Sequence, residues 1–235
     1  MGTRWMAALA ALVVIVPVSP PAAPAAYPFA VGESLRYDAK LGVLPAGWVT
    51  TTVQGTARDR GDDVFVLSLR AEGGPRGLGG RWAMTSWVGV DEFTSRRFHR
   101  SSTVAGRSEA KRFEIVPDSL RYREEGSRND FVTPARPLDE LALVYHLRTL
   151  PLVPGRAVAL NGYFRNGYNP VTVRVTGREP ITLGDGTVVT CLALRLTAAG
   201  STSEIWLTDD ARRLPARARL QLPFGRATLI LAAAP

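Results

Sequence analysis

The chain of 235 residues is poor in the side chains that most often carry out chemistry, with one cysteine and two histidines. The single thiol, Cys191, has no partner for a disulfide within the chain. It lies in the apolar run "TVVTCLALRL", which predicts a buried, unreactive thiol rather than a nucleophile. A chain of this length can bury a full core without disulfides or metals.

A metal centre or a cofactor site is not expected either. His99 and His146 are far apart, and neither has a second ligand at helical or hairpin spacing. A zinc site needs three or four converging ligands. The sequence also lacks the Gly-x-Ser-x-Gly elbow of serine hydrolases and the phosphate-binding Gly-x-x-x-x-Gly-Lys loop. We therefore predict no cofactor, no metal and no catalytic residue.

Lysine is scarce, since Lys40 and Lys111 are the two in the chain, and arginines supply almost all of the cations behind the net charge of +8. These arginines are spread along the chain, without a recognition helix or zinc-finger spacing, so nucleic acid is not an expected partner. A basic protein can instead meet anionic partners such as phosphorylated glycolipids, acidic glycans or membrane head groups.

Long apolar runs are absent beyond the N-terminus. There, Arg4 is followed by an apolar run from Met6 to Val16 and then by prolines and small residues. This order is typical of a secretory signal, and the run is shorter than the roughly 20 residues of a membrane span. We predict a signal peptide over 1–26 and a periplasmic or secreted bacterial protein. The alternative is an uncleaved membrane anchor.

Alternation of apolar and polar residues dominates the rest of the chain and is typical of half-buried strands. Helical spacing occurs in "PLDELALVYHLRTLPLVPG", which predicts an amphipathic helix over about 138–150 that Pro151 ends. Asn166-Gly167 and Asp185-Gly186 predict two-residue hairpin turns. We predict one all-β domain over 27–235, either an antiparallel sandwich or a curved, partly open barrel of about a dozen strands.

The stretch "LTDDARRLP" contains two adjacent acids. A carboxylate-dependent glycosidase needs two carboxyl groups across a groove, at roughly 5 to 9.5 Å, whereas neighbours in a strand point to opposite faces. Aspartate also favours turns, because its side chain hydrogen-bonds the local backbone. We interpret this region as a turn between two strands, with the structural residues Trp206, Asp209, Asp210, Arg213 and Pro215.

Two groups of residues are candidates for ligand binding. Aromatic residues in "NGYFRNGY" can stack on sugars or lie at a membrane interface, but they can equally close the end of a barrel. Arginines beyond the acidic turn share one strand face, which is either an anion-binding stripe or a solvated face with local ion pairs. The candidates are Tyr163, Phe164, Tyr168, Arg213, Arg217 and Arg219.

Three separated segments resemble a known family in the same order. They are "YPFAVGESLRYDAKLGVLPAGWVTTTV", "PLDELALVYHLRTLPLVPG" and "EIWLTDDARRLPARARLQLPFGRATLIL". Together they are similar to the exported bacterial family called domain of unknown function 3108, with its Pro-Phe-x-x-Gly-Glu-x-Leu-x-Tyr opening. The resemblance implies an all-β fold and export to the bacterial envelope, and it supplies no catalytic residues.

The first functional hypothesis is an exported, non-catalytic cell-envelope protein. It would bind an apolar or amphipathic ligand, or an envelope protein, in the concavity of a curved sheet, with the helix near the mouth of an apolar cavity. One alternative is a glycan- or polysaccharide-associated factor that uses Tyr163, Tyr168 and surface arginines. Another is a carboxylate-dependent hydrolase. The expected partners are lipid, glycan or an envelope protein, with at most peripheral membrane association.

Overall fold

The computed structural model describes residues 27–74, 79–222 and 225–234. The predicted signal peptide, 1–26, lies outside these residues. The first eight strands are β1 (Ser34–Leu41), β2 (Leu44–Asp59), β3 (Asp62–Gly73), β4 (Gly80–Gly89), β5 (Ser95–Val104), β6 (Arg107–Val116), β7 (Arg121–Glu124) and β8 (Phe131–Val132). After the helix α1 (Glu140–Thr149) come β9 (Ala157–Leu160), β10 (Val171–Thr182), β11 (Val188–Ala198), β12 (Ser201–Thr208), β13 (Pro215–Leu222) and β14 (Gly225–Leu231).

All 14 strands belong to one sheet, in the order β8-β7-β6-β5-β4-β3-β2-β1-β14-β13-β12-β11-β10-β9. Strands that follow each other in the chain pair antiparallel, except where the helix separates β8 from β9. The two halves are joined by β1 and β14, with Tyr37 opposite Leu231. Within the described residues, β8 and β9 are therefore the edges of an unclosed sheet.

These two edges nevertheless approach each other, because the sheet is strongly curved. Phe164 follows β9, yet its ring centroid lies 5.3 Å from that of Phe113 in β6 and 5.1 Å from that of Tyr122 in β7. An isolated parallel bridge also pairs Leu138 with Tyr163. The predicted all-β fold is confirmed, in the form of the curved, partly open barrel. The sandwich alternative is wrong, because the described strands form one sheet.

The predicted helix over 138–150 is confirmed as α1, and it begins where a buried side chain fixes it to the sheet. Asp139 is the N-cap residue, and its carboxylate accepts hydrogen bonds from two backbone N–H groups of the first turn, each at 3.0 Å. The same side chain accepts hydrogen bonds from the hydroxyls of Ser86 in β4 and Ser95 in β5. One carboxylate therefore both caps the helix and holds it against two strands.

The helix fills the concave side of the sheet between its two halves. Leu141 and Tyr145 pack into a cluster with Val53 of β2 and other side chains of the first half. Leu147 belongs to a separate cluster with Leu192 of β11 and other aliphatic side chains of the second half. The centre of the barrel is therefore occupied by side chains. No helix among the described residues is long and apolar enough to cross a membrane.

Successive turns of antiparallel strands alternate between the two ends of the barrel. Each end can therefore be identified by the turns that lie there. The "tip end" has the turns Gly42–Val43, Ala105–Gly106 and Ala199–Gly200. The opposite "turn end" has Arg60–Gly61 and the acidic turn 209–214 between β12 and β13.

The prediction of a two-residue hairpin at Asn166-Gly167 is wrong. Both residues lie in a short 3-10 helix within the longer connection between β9 and β10. The Asn169 side chain closes this connection, since it accepts a hydrogen bond from the Tyr163 backbone N–H and donates one to the Tyr163 carbonyl, each at 2.9 Å. Asp185-Gly186 does lie in the turn between β10 and β11, but that connection is longer than two residues.

Candidate functional site

Asp209 and Asp210 lie in the connection between β12 and β13 and have different partners. Asp210 accepts hydrogen bonds from the backbone N–H groups of Arg212 and Arg213, each at 3.0 Å, and from the Thr208 hydroxyl at 2.8 Å. Asp209 instead pairs with the guanidinium groups of Arg178 and Arg213, at 2.6 and 3.1 Å. The hydrogen bond from Arg178 is the main reason why the pKa of Asp209 is lowered.

Two of the candidate arginines lie next to the buried Trp206. The guanidinium carbons of Arg217 and Arg219 are 5.6 and 4.9 Å from the indole centroid. The indole Nε1 donates a hydrogen bond to Glu179 at 2.9 Å, and Arg219 lies 3.6 Å from a carboxylate oxygen of Glu204. Burial and then the neighbouring Arg219 lower the pKa of Arg217. The arginine row is therefore engaged in cation–π contacts and local ion pairing.

The third candidate arginine and Pro215 belong to the turn itself. The Arg213 side chain is engaged with Asp209, and its backbone N–H with Asp210. Pro215 is the first residue of β13 and lies opposite Leu207, a position where the missing N–H of proline is tolerated.

The three aromatic candidates do not form a continuous surface. Phe164 is completely buried among Phe98, Phe113 and Tyr122. Tyr168 is 44% exposed, whereas Tyr163 is half-buried. The Tyr163 and Tyr168 rings are tilted by 56° at a centroid separation of 5.3 Å. They therefore lack the coplanar exposed faces on which a sugar would stack.

A cleft that the sequence did not single out lies on the concave face of β4, β5 and β6. Met84 is directly opposite Arg100, and Arg100 is directly opposite Lys111, so these side chains share one face of the sheet. Met84 also packs against two core clusters, which identifies this face as the inner one. The cleft has a volume of about 270 Å³, and its lining includes Trp82 and Glu109.

The charges around this cleft are paired, with two cations facing three carboxylates. Arg100 lies 3.5 Å from Glu140, the first residue of α1. Lys111 lies 3.7 Å from Glu109 and 3.4 Å from Glu124. Cations and carboxylates of the cleft thus alternate around an apolar floor, an arrangement that can hold a polar group of mixed charge.

The candidate residue Tyr163 is close to this cleft. It packs, like Met84, against the aromatic cluster of Phe98, Phe113 and Phe164. Burial raises the pKa of the Tyr163 phenol, and the Glu140 carboxylate raises it further. Glu140 therefore connects Tyr163 with Arg100, at the N-terminal end of the helix.

Gly80 makes the position of the cleft tryptophan possible. A Cβ atom on Gly80 would lie 2.6 Å from the nearest atom of the Trp82 ring. The Trp82 indole therefore packs against the backbone of Gly80, which has no side chain, at the start of β4. A larger residue at position 80 would force the ring out of this place.

A second cleft, of about 520 Å³, lies on the other face of β5, β6 and β7 and has a different lining. It is lined by Arg97, His99, Arg112, Glu114, Arg123 and Glu125. Each of its three arginines is paired with an acid. For example, Arg112 lies 2.8 Å from a carboxylate oxygen of Glu125. No apolar side chain is among the lining residues of this second cleft. We therefore take the inner cleft as the candidate site.

A buried ion pair lies at the turn end, away from this cleft. The Arg148 guanidinium of α1 donates to both carboxylate oxygens of Glu33, at 2.6 and 2.9 Å. It also donates to the backbone carbonyls of Pro28 and Arg212. The Arg148 side chain is 1% exposed. Arg148 thereby connects the helix with the N-terminal segment and with the acidic turn.

Other titratable groups do not form a reactive cluster. Burial raises the pKa of the Cys191 thiol to about 11 and is the main cause of the lowered pKa values of His99 and His146. Among the described residues, no three histidine, cysteine, aspartate or glutamate side chains are grouped to hold a metal ion.

Sequence reasoning missed both the inner cleft and the buried ion pair. Trp82, Arg100 and Lys111 converge only once the register of three strands is known. Glu33 and Arg148 are 115 residues apart. One signal was available in the sequence. Arg100 and Lys111 each lie two residues from an aromatic residue in a predicted strand, and residues two apart in a strand share one face.

Comparison with known proteins agrees with this architecture. A family model described as a protein of unknown function, DUF3108, matches residues 36–232. A crystal structure titled as a beta-barrel-like protein of domain of unknown function DUF1849, from Brucella abortus, is similar with a TM-score of 0.56 and 11% identity. The alignment covers 86% of this chain and 95% of that one, and it concerns the fold alone. No curated protein matches the chain.

Proposed function

The chain belongs to the DUF3108 family of proteins of unknown function, and from this premise we propose that it is an exported, non-catalytic cell-envelope protein that binds an amphipathic ligand. The ligand occupies the inner cleft, with its apolar part on Trp82 and Met84 and its polar head group near Arg100 and Lys111. This apolar floor with charged groups above it is the observation that carries the proposal.

The export signal predicted over 1–26 supports the envelope location, because the order of charged start, apolar run and small-residue exit is that of a secretory leader. The 235-residue chain has a net charge of +8, of which the predicted signal peptide contributes Arg4. In the envelope, such a basic protein is surrounded by amphipathic molecules with anionic or zwitterionic head groups.

The dimensions of the cleft limit how much of a ligand it takes up. Ligand pockets usually have volumes of roughly 300 to 1,000 Å³, so a cleft of about 270 Å³ holds a head group and the first part of a chain. The deeper apolar cavity expected from the sequence is occupied by α1 and its neighbours. The helix does lie at the cleft, through Glu140.

The paired charges favour a zwitterionic head group over a purely anionic one. Arg100 and Lys111 can bind a phosphate, while the carboxylate of Glu109 can bind an ammonium group. A purely anionic head group would compete with Glu109, Glu124 and Glu140 for Arg100 and Lys111, and it would leave these carboxylates without a cation. A phosphate ester with an attached amine matches both signs.

The two alternatives from the sequence have no comparable support. For a glycan-binding surface, Tyr163 and Tyr168 are tilted and Phe164 is buried. For a hydrolase, the carboxylates of Glu109 and Glu124 are both engaged by Lys111. Asp209 and Asp210 serve the turn.

Isothermal titration with dodecylphosphocholine, below its critical micelle concentration, tests the proposal. We expect saturable binding by the wild-type protein, at least about tenfold weaker binding by Trp82→Ala because a buried aromatic anchor is lost, and weakened binding by the double variant Arg100→Gln/Lys111→Gln. The control is Trp48→Ala, which removes a tryptophan that stacks with Arg36 away from the cleft. Absence of binding by the wild type, or equal binding by Trp82→Ala, would overturn the proposal.

A further inference from the structure

The turn between β1 and β2 exposes apolar side chains at the tip end. Val43 is 89% exposed and Leu44 is 68% exposed, and Pro45 next to them is exposed as well. Gly42, at the first turn position, has a φ of +61° and donates its N–H to the carbonyl of Arg226 in β14. The strand pairing and this hydrogen bond hold the apolar residues outward in a defined turn.

The other two-residue hairpins show that turn geometry does not require such residues. The turns Arg60–Gly61, Ala105–Gly106 and Ala199–Gly200 all place a residue with positive φ before a glycine with positive φ. Their side chains are charged or small, as expected for exposed turns of this kind. The β1–β2 turn instead places its glycine first and a valine second, and a leucine follows as the first residue of β2.

The two cations next to this apolar tip make no ion pair with an acid among the described residues. Lys40 and Arg226 are both exposed. Within the segments 40–48 and 225–228 the sequence has these two cations and no acid. Neither makes an ion pair with another described residue.

We infer that the β1–β2 tip docks the protein onto the surface of an anionic lipid bilayer. Val43 and Leu44 enter the boundary between head groups and acyl chains, while Lys40 and Arg226 contact anionic head groups. Apolar residues flanked by cations are the combination that favours such interfacial binding. The positive net charge of the chain adds a long-range attraction.

This docking surface and the inner cleft are at the same end of the barrel. Trp82 lies near the start of β4, and Ser102, opposite it, lies near the end of β5, both close to the tip end. A protein docked by Val43 and Leu44 would therefore bring the cleft towards the membrane surface. The inference does not depend on ligand binding in the cleft, because different residues carry it.

Vesicle co-sedimentation with the wild-type protein tests the inference. With vesicles of phosphatidylglycerol and phosphatidylcholine at a molar ratio of about 3:7, we expect binding that high salt weakens and that pure phosphatidylcholine vesicles do not support. Val43→Ser/Leu44→Ser should reduce binding at least about tenfold, because apolar area is lost. Lys40→Gln should reduce it about fivefold.

The matched control is Val188→Ser. Val188 is an exposed valine, 62% accessible, at the opposite end of the barrel in the β10–β11 hairpin, so its replacement should leave vesicle binding unchanged. Loss of binding with Val188→Ser equal to that with Val43→Ser/Leu44→Ser would overturn the inference. So would failure of the wild type to bind anionic vesicles, which would point to a protein as the partner of the tip.

A fluorescent label measures insertion directly. On a Cys191→Ala background, Val43→Cys and Val188→Cys each give one exposed thiol for an environment-sensitive dye. We expect anionic vesicles to shift the emission to the blue at position 43 but not at position 188. Equal responses at both positions contradict docking by the tip. Trp82→Ala should keep the vesicle response at position 43, which separates this inference from the proposed ligand site.

Discussion

The two ends of the barrel are built in opposite ways. At the turn end, polar side chains are engaged with one another: the buried Arg148 binds Glu33 and two backbone carbonyls, and the exposed Asp210 accepts hydrogen bonds from its own turn. At the tip end, Val43 and Leu44 of the β1–β2 turn are exposed, and the neighbouring Lys40 and Arg226 make no ion pair with another described residue.

The comparison indicates that residues important for stability lie at the turn end and residues available for binding lie at the tip end. Buried polar groups are costly to disturb, because a partner left alone keeps its desolvation penalty. Exposed apolar residues contribute little to the folded state and are available to an external partner. Substitutions at the turn end should therefore reduce the free energy of unfolding, and substitutions at the tip end should change binding.

The largest effect on stability is expected from Arg148→Met. This change leaves the carboxylate of Glu33 buried without its partner, which typically costs about 3 to 5 kcal/mol. Denaturant unfolding of the wild type and the variant measures the loss. The double variant Glu33→Leu/Arg148→Met should recover part of it, because no charge is then left alone. A loss below about 1 kcal/mol for Arg148→Met would show that the turn end is not stabilised in this way.

The second prediction concerns pH and Asp139. Burial raises the pKa of this carboxyl group from 3.8 to about 6, although hydrogen bonds from the Ala142 backbone, Ser86 and Ser95 act in the opposite direction. Between these two values the folded state binds the proton more tightly than the unfolded state. The contribution of Asp139 to stability therefore decreases as pH rises from about 4 to about 6, by at most about 3 kcal/mol.

Asp139→Asn removes this titration but keeps an acceptor for the helix N-terminus. Denaturant unfolding at several pH values between 4.5 and 7.5 gives the free energy of unfolding of both proteins. We expect the stability of the wild type relative to the variant to fall across this range. A difference that is independent of pH contradicts the assignment, whatever its size.

The third prediction compares the two adjacent acids of the turn. Asp210→Ala removes the acceptor for two backbone N–H groups and should cost about 1 to 2 kcal/mol. Asp209→Ala removes ion pairs with Arg178 and Arg213 near the surface and should cost less than about 1 kcal/mol. Thermal or denaturant unfolding ranks the two variants. The reverse order would mean that ion pairing, rather than backbone capping, holds the turn.

The smallest effect is expected at the tip end. Val43→Ser/Leu44→Ser should change the free energy of unfolding by less than about 0.5 kcal/mol per substitution, as is usual for exposed positions. The same unfolding experiment measures it. A large loss of stability would show that these residues stabilise the folded state. The contrast between the two ends would then disappear.

The sequence predicted features that depend on neighbouring residues. The period-two pattern gave the all-β fold, and the helix prediction over 138–150 matches α1, since the spacing of Leu141 and Tyr145 is a local property. The choice between sandwich and partly open barrel remained open, because the pairing of β1 with β14 joins residues that are distant in the chain.

The candidate site depended on long-range register and was therefore missed. No local pattern places Trp82, Arg100 and Lys111 on one face, because the bulge between β4 and β5 and the hairpin lengths decide which strand positions are opposite. The choice between packing and ligand binding for the aromatic residues of "NGYFRNGY" remained open for the same reason. Phe164, in the connection between β9 and β10, packs against Phe98 and Phe113 from the other half of the sheet.

The most direct test of the account is native mass spectrometry, with lipid extraction, of the protein purified from the periplasm, with the wild type compared with Trp82→Ala/Arg100→Gln. We expect a co-purifying amphipathic lipid on the wild type and its loss from the variant. A wild-type protein without bound lipid, or a variant that retains the same lipid at the same occupancy, would contradict it.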